Sequence, residues 1–180
     1  MNSSSLVDDA QHLLRVMRLH PQIVNASLSE FGEDECRIAA VFDVEMPFDV
    51  RARGVSATGV MAHEPIEIVI RAGYPWKSPT VYFRQDFPRD FPHLQPSLPE
   101  ALPRPCLVEG SQDEYFAHFG LIEAGIMGLL DQLSTWLAKA GALPLINPSG
   151  PRALKRTTQS RTICRVTLPS RAASEREPPS

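Results

Sequence analysis

Apolar and polar positions keep one period after another along the first 83 residues, and each change of period marks an element. Between Ser5 and about Leu19, Ala10, Leu13, Leu14 and Met17 fall on one helical face; Ser5 is placed to cap the helix, and Asp8 and Asp9 suit the positive end of its dipole. His20-Pro21 stops it. Ile23 to Leu28 then reads as a short strand, and Gly32 sits in an acidic turn. From Cys36 to Met46 the apolar residues Cys36, Ile38, Ala40, Phe42, Val44 and Met46 occupy alternate positions, with Arg37, Asp43 and Glu45 among those between them. Beyond a loop containing Gly54 and Gly59, Ile66, Ile68 and Ile70 alternate with Glu67 and Arg71, and Thr80 to Phe83 is rich in strand formers. Short connections between successive strands predict an antiparallel meander.

From Pro75 to Pro105 the chain carries 8 prolines in 31 residues, too many for a regular ladder or helix, because each removes a backbone donor and fixes its own torsion. Tyr74, Trp76, Phe87, Phe91 and Leu94 line the same stretch, so it is expected to be irregular but packed and stiff. Ile122, Ile126, Leu129, Leu130, Leu133, Leu137 and Ala140 then return to helical spacing, ending at Gly141 with Pro144 beyond. The expected fold is α+β: an N-terminal helix, a four-stranded antiparallel meander, an irregular proline-rich segment and a C-terminal helix, with the helices against one sheet.

Composition adds a boundary. Residues 1–147 hold 11 basic and 19 acidic side chains, a balance of -8, whereas residues 148–180 hold 7 and 2, a balance of +5. The basic segment is rich in Pro, Ser, Thr and Arg and lacks an apolar period, so residues 1–147 are expected to form one domain and 148–180 a disordered tail. The formal net charge of -3 argues against a nucleic-acid partner held by bulk charge. No apolar run approaches the roughly 18 residues of a membrane span, and the start MNSSSLVDDAQ lacks a secretory pattern, so no membrane contact and a cytoplasmic location are expected. Cys36, Cys106 and Cys164 form no close pair, which speaks against a disulfide framework or structural zinc.

One thiol stands out. Cys106 lies in Pro103-Arg104-Pro105-Cys106-Leu107-Val108-Glu109-Gly110, a backbone stiffened by prolines and released at a glycine, which is a rigid mount for a nucleophile. A free cysteine is as a rule simply buried, and Cys36, on the apolar side of its strand, reads that way. His93 and His118 are the histidines a structured segment can aim at Cys106. Neither has a sequence-local Asn or Asp marking an orienting partner, and a metal site from His63, His93, Cys106 and His118 needs long-range assembly without a close ligand pair. Glu109, Asp113 and Glu114 read as an acidic rim whose field opposes thiolate formation unless Arg104 offsets it.

The words Gly73-Tyr74-Pro75-Trp76-Lys77-Ser78-Pro79-Thr80-Val81-Tyr82-Phe83, Phe91-Pro92-His93-Leu94, Pro105-Cys106-Leu107-Val108 and Leu133-Ser134-Thr135-Trp136-Leu137, in that order, resemble the ubiquitin-conjugating enzyme domain, most closely its bacterial branch. The resemblance covers about residues 5–146 and is most specific over 73–107. It implies an enzyme that accepts a ubiquitin-like modifier as a thioester on Cys106 from an activating enzyme and passes it to an amine of a target protein. His93 matches the histidine of the family's His-Pro-Asn motif, which holds the loop, while Tyr74, Pro75 and Pro79 match scaffold positions. In relatives such systems serve antiviral defence. No bound cofactor or metal is called for.

Two departures bear on the chemistry. His93-Leu94-Gln95 stands where the eukaryotic members have His-Pro-Asn, so Gln95 takes the place of the amide that stabilises the oxyanion, with one more methylene of reach. Bacterial relatives often continue into an activating domain, yet nothing after residue 147 offers a Gly-rich nucleotide loop, so the activating enzyme is expected to be separate or the reading frame incomplete. The alternatives are a catalytically inactive binding module of the same fold, which recognises a ubiquitin-like protein or a partner domain, and a thiol hydrolase using Cys106 with His93 or His118.

Overall fold

Four antiparallel strands, β1 (Ile23–Phe31), β2 (Glu35–Asp43), β3 (His63–Arg71) and β4 (Thr80–Phe83), lie side by side in chain order. They are seen in a computed structural model that describes residues 3–32, 34–108, 111, 114 and 122–142. Helix α1 (Ser3–Met17) precedes the sheet, a short α2 (Phe48–Arg53) lies between β2 and β3, and α3 (Glu123–Ala142) follows the proline-rich segment. The expected α+β order of helix, meander, irregular segment and helix is the observed one. The expected boundary at residue 147 and the tail after it lie outside the described residues.

Cross-strand register explains the sheet's two faces. Ile38 sits opposite Ile68 and Ala40 opposite Ile66, while Ile66 and Ile68 in turn face Phe83 and Val81. Alternation puts all of these on one side, where they are buried in a single cluster with Leu13 and Met17 of α1 and Ile126, Leu129, Leu133 and Leu137 of α3. Burial of each large aliphatic or aromatic side chain contributes about 1.5–3 kcal/mol, so two helices on one sheet face account for the core. On the opposite face, Arg37 meets Glu30, Glu35 and Glu67, and Arg71 donates to Thr80 and Tyr82. That face is held by partly exposed ion pairs of small individual worth.

Four departures from the sequence pattern concern the helices. Helix α1 begins at Ser3, so Ser5 lies inside its first turn and does not cap it. The loop holding Gly54 and Gly59 contains α2, a six-residue helix with no buried side chain, which therefore leaves no apolar period to read. Ile122 has φ +58 and precedes α3 instead of joining it. Gly141 does not terminate that helix in a left-handed turn; it sits within α3, and a Cβ there would meet Met46 Cε at 3.0 Å, so close packing is what the glycine serves.

A carboxylate is buried beneath the proline-rich segment. Glu64 at the start of β3 is fully enclosed; its Oε2 accepts the Met61 N–H at 2.7 Å and its Oε1 accepts Arg84 Nε at 2.8 Å. Arg84 also donates to the Gly59 carbonyl at 2.6 Å, which ties the α2 loop to the end of β4. Burial pushes the Glu64 carboxyl above its ordinary value against the opposing pull of the Met61 N–H and Arg84. Glu64→Ala leaves the guanidinium without its buried carboxylate and is expected to cost about 3 kcal/mol or more, whereas Glu64→Gln keeps an acceptor for one of the two donors and costs less. A raised folded-state value means that the folded protein binds this proton more tightly than the unfolded chain. The Glu64 contribution is therefore fully present below the ordinary glutamate range and is lost as pH rises through the folded value. Urea unfolding of both variants across pH 4 to 8 checks the order, and the wild type should gain on Glu64→Gln toward acid.

Candidate active site

Beyond β4 the chain leaves the ladder because prolines recur, at 88, 92, 96, 99, 103 and 105, before α3 is reached. Aromatic packing takes over. Phe83 at the end of β4 stacks on Phe87 with centroids 4.2 Å apart, Phe87 meets Phe91 at 5.5 Å, and Trp136 of α3 contacts all three rings. Phe91-Pro92-His93 is thus fastened to a helix and a strand of the core. Of the aromatic residues expected to pack this stretch, Trp76 is the exception: it is 70% exposed on the turn between β3 and β4, while Tyr74 is buried. The Tyr74 phenol is raised well above its usual range by burial and by Asp9.

Residues 97–101 are held from outside by side chains. Arg89 donates to Ser97 Oγ and to the carbonyls of Leu98, Pro99 and Ala101, and Gln85 Nε2 donates to the Pro99 carbonyl at 2.8 Å. A guanidinium has five donors and no acceptor, so a single side chain gathers the carbonyls of a loop whose prolines have no N–H to offer. The return strand is then anchored to the sheet, since the Phe83 N–H donates to the Pro103 carbonyl at 2.9 Å.

Two more hydrogen bonds create the site. The Cys106 N–H donates to the His93 carbonyl at 2.6 Å and the Gln95 N–H to the Arg104 carbonyl at 2.8 Å, with Leu94 and Pro105 paired between them. Leu94 and Pro105 occupy a position of the antiparallel pattern where neither residue donates to the other, so proline fits without a lost bond. Leu94 packs on the core and Pro105 is buried. Gln95 and Arg104 lie on the other side and touch through their side chains, the guanidinium donating to Gln95 Oε1. His93 carries φ +60, a left-handed conformation that costs a non-glycine residue about 1 kcal/mol or more. Its exposed side chain borders an apolar hollow of about 410 Å³ between Phe91, Pro92 and the α3 residues Trp136, Lys139 and Ala140.

Cys106 is partly exposed, and its thiol donates to the Val108 carbonyl at 3.5 Å, a weak bond. Of the sequence-derived candidates, the structure brings His93, Gln95 and Cys106 together. Cys36 is wholly buried in the core. His63 stands apart at the start of β3, 3.6 Å from Asp43. His118, Glu109, Asp113 and Cys164 lie outside the described residues; of the expected acidic rim Glu114 alone is described, and it is exposed. Among the described residues no group of three or more His, Cys, Asp or Glu side chains is arranged to hold a metal, and no helix is long and apolar enough to cross a membrane. Sequence reasoning missed the Arg89 clamp and the contact of Arg104 with Gln95. The spacing of an arginine from carbonyls 8 to 12 residues away has no signature in one chain.

Because the Arg89 contacts are confined to residues 97–101, Arg89→Ala is expected to speed proteolysis and amide exchange in that loop about 10-fold or more. The midpoint of global unfolding should move by less than about 1 kcal/mol. Limited proteolysis beside urea unfolding separates the two effects.

Comparison with curated proteins and with solved structures returns no match. A family model, Prokaryotic E2 family A, matches residues 4–175, a span that takes in the helix and sheet core, the paired segments 93–95 and 104–106, and much of the basic segment. The chain belongs to prokaryotic E2 family A, a bacterial ubiquitin-conjugating-like family, which puts it among the proteins of ubiquitin-like conjugation.

Proposed function

We propose that the protein carries a ubiquitin-like modifier as a thioester on Cys106 and transfers it to an amine of a target protein. The observation that supports this reading is the pairing of residues 93–95 with 104–106, which holds a partly exposed thiol on a stiff, sheet-anchored turn beside a histidine and a carboxamide. In the charging step the Cys106 sulfur forms a bond to the activated C-terminal acyl carbon of the modifier. The bond from that carbon to the activating enzyme breaks, and the departing group takes up the proton given by the thiol. In the transfer step an amine attacks the same carbon, a tetrahedral oxyanion forms, and the carbon–sulfur bond breaks to leave an amide. The amine proton ends on the Cys106 sulfur.

Exchange of one thioester for another is close to energy-neutral, so the protein's task is placement and stabilisation of the oxyanion. His93 serves the first through its carbonyl, which fixes the Cys106 backbone. Gln95 serves the second through its carboxamide nitrogen, in the place where relatives carry an asparagine. No metal or cofactor takes part. The modifier, the activating enzyme and the target are separate chains in this reading, and an antiviral setting rests on the family resemblance alone.

Incubation with ATP and the activating enzyme and ubiquitin-like protein of the same genome is the test. The expected product is an adduct on intact mass spectrometry that reductant removes and Cys106→Ala abolishes. Gln95→Ala should slow discharge of the preformed adduct to lysine by about 10- to 100-fold. Stable association of the modifier without any adduct would instead identify a binding module.

A further inference from the structure

Arg104 has no role in the scheme above, yet its guanidinium is spent on Gln95, the side chain proposed to meet the oxyanion. We infer that Arg104 is a positioning residue: it grips the Gln95 carboxamide by its oxygen and so keeps the amide nitrogen turned away as a free donor on the Cys106 side of the turn. The inference deepens the acyl-carrier reading and rests on it.

The two ends of a carboxamide are nearly the same in shape, so packing alone does not choose between its two flips. Arg104 does choose. A guanidinium only donates, so its contact with Gln95 is compatible with the oxygen facing it and not with the NH2 group. A charge-assisted hydrogen bond of this kind favours one flip by about 10- to 100-fold. The backbone sets up the meeting, because the Gln95 N–H donates to the Arg104 carbonyl and makes the two residues direct neighbours across the turn. Cys106 lies two residues beyond Arg104, which in an extended segment returns to the same side. The diagonal from Gln95 to Cys106 is then about 7 Å, within reach of a long side chain. The extra methylene of glutamine, relative to asparagine, is what lets the carboxamide extend far enough to be held in this way.

The probe is the N-acetylglycine thioester of 2-mercaptoethanesulfonate, offered to the full chain in a Cys164→Ser background. Cys106 is acylated to completion before lysine amide is added, so that only discharge is read, by intact mass. Arg104→Met is expected to discharge about 10-fold more slowly. Gln95→Ala should lose a similar factor, and the double variant no more than either single one. Arg104→Lys, whose ammonium donates to the same oxygen, should recover most of the rate. A second reading does not depend on activity: the Gln95 side-chain NH2 signals in a 15N-resolved NMR spectrum should move to solution-like positions in Arg104→Met, while the Cys106 backbone amide signal stays. Discharge within twofold of wild type, losses that multiply in the double variant, or unmoved Gln95 NH2 signals would each overturn the role of Arg104. Failure of the wild type to take up the acyl group would sink the carrier reading instead, and the NMR result would still decide whether Arg104 orients Gln95.

Discussion

Prolines leave carbonyls without partners, and the form of the segment between β4 and α3 follows from how that surplus is met. Each proline keeps its acceptor and gives up its donor, yet a polar backbone group withdrawn from water has to be paired. Arginine answers this imbalance with five donors and no acceptor. Arg89 collects three carbonyls and a hydroxyl of residues 97–101, and Arg84 takes the carbonyls of Gly59 and Asp86 along with the buried Glu64 carboxylate. The segment is neither helix nor sheet, but side-chain donors hold several of its carbonyls, and these ties stiffen it.

Stiffness alone does not place a nucleophile. Placement comes from the chain of attachments that runs from the core outward: the Phe83 N–H holds Pro103, the aromatic group around Trp136 holds Phe91, and the two strips meet in the pairing that carries His93, Gln95 and Cys106. Each link joins the site to an element that is itself buried. A disturbance at Trp136 therefore reaches Cys106 through Phe91 and the His93 carbonyl without touching the sulfur. Rigid support of this kind is what the proposed acyl-carrier role requires, since misplacement by about 1 Å costs about 100-fold in a positioned reaction.

Much of the core was legible because a sheet with one buried face writes a period of two into the sequence. Thr80 to Phe83 was read as a strand and is one, and Ile66, Ile68 and Ile70 occupy the buried face expected of them. The readings erred where geometry breaks the period. Strand β1 continues past Leu28 to Phe31 through a register shift, which puts the later residues out of phase with the earlier ones. Strand β2 stops at Asp43 although the alternation persists to Met46: the Val44 N–H still reaches the Ala62 carbonyl in register, but the Ala62 N–H turns away to the Gly54 carbonyl and the return bond of that rung is not made. The candidate site was legible in a different way. Cys106, His93 and Gln95 were picked out by residue type and by likeness to a family, whereas the bond pattern that joins them spans one pair of residues and leaves no periodic trace.

The left-handed turn at His93 shows why the site is built from such pieces and not from a longer ladder. A third rung beyond Cys106 would extend the strip and bury the sulfur's surroundings, but φ +60 at His93 turns the chain out of the extended form at the residue that fixes the Cys106 amide. The ladder is thereby ended where the thiol begins, and the strain at His93 is small beside the packing of Phe91 and Leu94 on either side of it. Prolines reduce the freedom that the unfolded chain loses on folding, so the cost of ordering this turn is lowered and is met when the chain folds. In the proposed reaction the flexible partner is the incoming acyl chain, and the turn that meets it is already ordered.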